Sequence, residues 1–141
     1  MIVLTSFKEA SVMKNVVKLG GARWGPPFAG GWPEVEWMKP KRKNGTAVLL
    51  RDFGSDPLVP YHDYMLDLYR ERWPAVRRWL GEYAELDVAV ACWCPNTKTA
   101  RAQIANFGTF HCHMGVVGDV LTAAGVAWEY GVEHETMMVR G

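Results

Sequence analysis

Five consecutive apolar residues, Val88-Ala89-Val90-Ala91-Cys92, constrain the fold of this chain more than any other feature. The run has the length of a strand and lacks the polar alternation of a half-solvated one, so it reads as a strand buried inside a sheet. Ile2-Val3-Leu4 reads the same way. Segments with helical spacing follow such strands, and strands that alternate with helices favour a parallel sheet. The expected fold is α/β, a single three-layer domain spanning residues 1–141 with helices on both faces. Its mainly parallel sheet is expected to include residues 2–6, 47–50, 87–92 and 126–132.

Local chemistry places most of the helices. Ser6 and Glu9 have the spacing of a capping box, which predicts a helix from Phe7 with Met13, Val16 and Val17 on its apolar stripe and Gly20-Gly21 at its end. Ala22 and Arg23 can close a short second strand. Residues 24–45 read as a long loop rich in Trp, Gly and Pro. From Tyr61 an apolar stripe runs through Met65, Leu66, Tyr69, Trp73, Val76, Leu80 and Tyr83, and Pro74 either kinks one helix or opens a second. Beyond Cys92, the polar segment from Asn96 to Asn106 is expected to form a mobile flap. Another helical pattern, Val116, Val117, Val120, Leu121 and Ala124, follows, and Gly125 suits the left-handed position after a helix end. Met137, Met138 and Val139 can add an edge strand.

At 141 residues the chain can bury a substantial core. A formal net charge of +1 excludes a global field that attracts nucleic acid or acidic membranes, so such binding requires a local patch. No apolar run approaches the length of a membrane span. No membrane partner is expected, and a cytoplasmic location is the default expectation, where three cysteines need not pair. The one basic cluster is Lys39-Pro40-Lys41-Arg42-Lys43. With Trp32 and Trp37 nearby, Lys39, Lys41, Arg42 and Lys43 suit nucleic acid through phosphate contacts and base stacking. The plainer reading is a solvated loop whose tryptophans cover the core.

Ligands of parallel sheets bind beyond the C-terminal strand ends. That rule gathers Thr5-Ser6, Arg23, Arg51-Asp52 and Cys92-Trp93-Cys94 on one rim, and a helix opened by His111-Cys112-His113 would begin there too. Cys112, His113 and His111 are the expected catalytic residues. Ser6, Arg23, Trp24, Arg51, Cys92 and Trp93 are the expected ligand-binding residues, for a small anionic or nucleotide-like ligand. Unpaired N–H groups at a helix start attract anions and favour a thiolate, which is the nucleophilic form of cysteine. Successive helical side chains diverge by about 100°, so His111 or a distant imidazole such as His62 suits the role of base better than His113. Arg23 and Arg51 would neutralise the ligand's charge, and Trp24 or Trp93 would stack on it.

Several of these pieces together resemble the uncharacterised domain-of-unknown-function family four-eight-eight. They are Thr5-Ser6, Arg23 to Pro27, the Tyr61 to Leu80 helix, the strand Val88 to Cys92, and Cys112-His113. The family pattern continues Cys-His-Arg, where this chain has Met114, and an insert around Asn96 to Asn106 separates the Cys strand from the Cys-His pair. The resemblance implies a compact α/β fold and a Cys/His-centred site. It also implies that Arg23, Arg51 or Arg101 would replace the missing arginine if that residue binds an anion.

Three chemistries compete for Cys92, Cys94, His111, Cys112 and His113. One is nucleophilic or acid–base catalysis at Cys112. Another is zinc, which thiolates and imidazoles suit, although the single residue between Cys92 and Cys94 falls short of the usual spacing. No metal or other cofactor is expected. The third is plain packing, since a cysteine is often a small buried hydrophobe. The leading expectation is an enzyme acting on a nucleotide-like or phosphate-bearing substrate. The alternative is a non-catalytic nucleic-acid- or protein-binding module that uses residues 24–45.

Overall fold

Among the described residues, four strands pair in a parallel sheet: β1 (Ile2–Ser6), β2 (Val17–Gly20), β3 (Val88–Cys92) and β4 (Trp128–Tyr130), in the order β2-β3-β1-β4. The computed structural model describes residues 1–22, 24–55, 58–93 and 113–131. Among these residues, four α-helices connect the strands: α1 (Phe7–Val12), α2 (Leu58–Glu71), α3 (Trp73–Tyr83) and α4 (His113–Ala123). The strands that carry the apolar runs Ile2–Leu4 and Val88–Cys92, β1 and β3, are the central pair, and every residue of both is buried.

Register decides which side chains share a face. Ile2, Leu4 and Ser6 lie opposite Val88, Val90 and Cys92, and Ile2 lies opposite Trp128. Opposed residues in a parallel pair point the same way. The Trp128 ring meets Gly118 of α4, so this set faces α4. Right-handed crossovers put α2, α3 and α4 on that side and α1 on the other. In agreement, α2 packs on α4, while α1 touches β1 and β3. Ala89 and Ala91, small and fully buried, point toward the α1 side.

Local signals explain the helix ends. Ser6 caps α1 by accepting a hydrogen bond from the Glu9 backbone N–H at 3.2 Å. Pro74 opens α3 within its first turn, so the Tyr61–Tyr83 stripe is divided between two helices. Gly125 takes a positive φ of 73° after α4.

Three expectations are corrected. The first helix ends at Val12, and Val17 begins β2 instead of extending an apolar stripe; Asn15, with φ of 60°, turns the chain between them. Residues 47–50 are not a sheet strand. Ala47 makes one isolated antiparallel bridge with Lys41, and Leu50–Phe53 forms a 3-10 turn. The free edge of β2 is instead covered by residues 33–35: Gly20 N–H donates to Pro33 O at 2.9 Å, and Val35 N–H donates to Gly20 O at 2.7 Å. The fourth strand is shorter than expected, Trp128–Tyr130. The expected flap over Asn96 to Asn106 and the tail strand at 137–139 lie outside the described residues.

Candidate functional site

β1 and β3 lie side by side, yet their following helices pack on opposite faces of the sheet. Such a switch opens a crevice beyond the C-terminal strand ends. Here those ends are Ser6 and Cys92, which are register partners. The Ser6 hydroxyl caps α1, and with six residues that helix adds little dipole of its own. The neighbouring Thr5 hydroxyl is buried without a hydrogen-bond partner.

Cys92 is 1% exposed on the helix-covered side, close to Tyr61 and Tyr130. Burial, with the nearby Cys92 as a smaller contribution, holds the Tyr61 phenol well above its ordinary range, so it stays protonated and neutral. Tyr130 is raised in the same way by burial, with Asp119 and Cys92 adding to it. His62, half-buried on α2, has Nε2 2.5 Å from Asp119 Oδ2 on α4, so a carboxylate already orients this imidazole.

His113 is the first residue of α4 and is buried. Its Nε2–H donates to the Gly21 carbonyl at 2.9 Å, fixing the start of α4 to the chain just after β2. Burial lowers its pKa from the usual 6.5 to about 4, against the opposing effect of that hydrogen bond, so the ring is neutral near pH 7. In this geometry His113 positions α4 and holds a main-chain carbonyl.

Aromatic residues dominate the rim outside the switch point. A cavity of about 240 Å³ is lined by Phe7, Ala22, Trp24, Pro26, Trp32 and Glu34, among others. Phe7 follows the Ser6 cap directly, and its ring centroid lies 5.9 Å from that of Trp32 and 5.2 Å from that of Trp93. Trp24 and Trp93 are 58% and 56% exposed, and Trp93 Nε1–H donates to the Trp24 carbonyl at 2.6 Å. The expected stackers are thus tied to each other and to the rim.

The expected cations are distributed differently. Arg51 is exposed on the 3-10 turn Leu50–Phe53, which follows no strand, and it does not line the rim cavity. Lys39 is 4% exposed and pairs with Glu34 at 2.9 Å and Glu36 at 2.5 Å. Its carboxylate partners raise its pKa despite the opposing effect of desolvation. Lys39 is therefore a structural ion pair and is withdrawn from any phosphate-contacting surface. Trp37 is also buried, edge-on to Tyr69 and Trp79, which removes it as a stacking platform. Arg42 Nη1 donates to Ala47 O at 2.8 Å and sits over the Tyr64 ring, while Lys43 is exposed. Arg23, Cys94, His111 and Cys112 lie outside the described residues.

Sequence reasoning missed Phe7 and Glu34 as cavity residues, assigned Trp32 to the basic run instead of to this cavity, and missed Tyr61 and Tyr130 beside Cys92. The position of Phe7 was foreshadowed by the Ser6 cap; the others meet only through the tertiary fold. No cluster of three or more His, Cys, Asp or Glu with metal-binding geometry occurs among the described residues. No helix is long and apolar enough to cross a membrane among those residues. A scan of family models, a search of curated proteins and a search of solved structures each return no match.

Proposed function

We propose that this chain binds a small molecule carrying a planar, nucleobase-like ring at the C-terminal rim of the sheet, with Cys112 as the thiol that acts on it. The observation that carries this reading is the aromatic cavity lined by Phe7, Trp24 and Trp32 beside the β1–β3 switch point. Flat aromatic walls favour a flat ligand by stacking. Glu34, whose Oε2 accepts from Lys39 at 2.9 Å, also lines this cavity, and its carboxylate can take a further N–H from a ring edge. Cys112 immediately precedes α4, where helix N–H groups lower a thiol's pKa. The opposite face of the reading is Cys92, which burial makes an inert thiol.

Tryptophan quenching by a panel of free nucleobases and nucleosides tests the ligand. Saturable quenching that disappears in Trp24→Ala, with the fold retained by circular dichroism, supports the reading. Absence of quenching at millimolar ligand overturns it. A pH series of thiol alkylation read by mass spectrometry tests the chemistry: Cys112 should react well before Cys92 at neutral pH and be shielded by the bound ligand. Equal, slow reaction of both thiols removes Cys112 from the proposal.

A further inference from the structure

A second cavity, of about 530 Å³, lies between the 36–45 segment and the corner where α2 meets α3. It shares no lining residue with the rim cavity. Outside the Lys39 ion pair, five cationic side chains line it, Lys41, Arg42, Lys43, Arg72 and Arg78, against only Glu71, a net of +4. The whole chain carries a net charge of only +1. Charge is therefore concentrated here well beyond what composition requires.

The carboxylates do not neutralise the group. Lys39 takes Glu36 and Glu34 as partners. Among the described residues, Lys41, Arg42, Lys43, Arg72 and Arg78 form no salt bridge. Arg72 is instead held by main-chain carbonyls: Nη1 donates to Trp37 O and Lys39 O, both at 2.8 Å, and Nη2 donates to Lys41 O at 2.5 Å. Neutral carbonyls orient a guanidinium without cancelling its charge. A fixed cation sits on one side of the cleft, and Lys43 and Arg78 are exposed around it.

We propose that this cleft binds a compact polyphosphate anion. Clustered, uncompensated cations repel one another, and a multivalent anion relieves that repulsion while binding the folded state. The cations surround one bowl, which suits a short chain of phosphates. A track for single-stranded nucleic acid would also present exposed aromatic faces for base stacking. The one aromatic residue in the lining is Trp37, which is buried. This site is independent of the rim cavity and stands or falls separately from it.

Isothermal titration of the full chain with inorganic tripolyphosphate, at low and moderate salt, tests the proposal. One molecule should bind per chain, more weakly as salt rises. The triple variant Lys41→Gln/Lys43→Gln/Arg78→Gln should bind about tenfold more weakly or worse. Arg70→Gln, a cation outside the cleft and paired with Asp67, should bind as the original chain does. Three outcomes overturn the proposal: no tripolyphosphate binding, undiminished binding by a folded triple variant, or tighter binding of single-stranded oligonucleotides with affinity that grows with length. Circular dichroism of each variant separates lost binding from lost folding.

Discussion

Gly118 of α4 packs directly against the Trp128 ring of β4, and adding one carbon there gives a sharp test of the packing. An alanine Cβ at this position would lie 2.5 Å from both Cζ2 and Cη2 of Trp128 and 3.1 Å from Cζ3. Ordinary carbon contacts fall near 3.5–4.0 Å, so the ring would have to retreat by about 1 Å. It is held against that retreat. Trp128 Nε1–H donates to Thr122 Oγ1 at 2.8 Å, and the ring meets Tyr130 edge-on, with centroids 4.9 Å apart. Overpacking of this kind costs about 1–3 kcal/mol, while replacing a helical glycine by alanine returns about 1 kcal/mol. Gly118→Ala should therefore destabilise the chain by up to about 2 kcal/mol. In a Trp128→Ala background the clash is gone, and the same substitution should stabilise by about 1 kcal/mol. Urea unfolding followed by far-UV circular dichroism on the four proteins of this cycle measures both numbers. If Gly118→Ala is stabilising in the original chain, or has the same effect in both backgrounds, the helix–sheet contact is not as described.

Two further outcomes follow from buried polar groups. The folded His113 takes a proton only near pH 4, whereas an unfolded one does so near 6.5. Below 6.5 the unfolded chain thus gains protons that the folded chain refuses. The contribution is complete above that pH and is lost as pH falls through the window, by about 3 kcal/mol in all. Chemical denaturation between pH 4 and 8 should show this slope, and His113→Gln should flatten it; an unchanged slope would mean that the ring is not buried neutral. Arg72→Ala removes three bonds to the carbonyls of Trp37, Lys39 and Lys41. It should cost about 2–4 kcal/mol and raise hydrogen exchange across residues 37–48, and retention of native exchange there would show that this guanidinium does not hold the segment.

What the sequence revealed of the fold followed how local the cause was. β1 and β3 were legible because a short unbroken apolar run has few other uses, and the start of α1 was legible because a Ser cap acts within three residues. The division at Pro74 and the turn at Gly125 are backbone properties of those residues. Val17 was misread because two adjacent valines fit a helical stripe as well as a strand. The deciding signal was Asn15, a residue type that tolerates the left-handed conformation found there. Residues 46–50 have the composition of a strand, yet Ala47 makes only an isolated bridge to Lys41, while residues 33–35 bridge to Gly20 at the end of β2. Which segment reaches a sheet edge is a tertiary outcome and leaves no mark in a window of five residues.

The candidate sites divide along the same line. Part of the rim was legible because a parallel sheet gathers its C-terminal strand ends on one side, and Ser6 and Cys92 are register partners across β1 and β3. Trp24 was expected there as a stacking residue, but its meeting with Phe7 and Trp32 was not, since the three come together only once the chain folds back along β2. The basic run at 39–43 misled in a more instructive way. Read linearly, it is a patch of four cations, yet its first member is buried between Glu34 and Glu36. The remaining three gain two partners from the α2–α3 corner, Arg72 and Arg78, some 30 residues away. A linear count therefore overstates the charge that one segment offers to a long strand. It also understates the charge that two segments together place around one cleft.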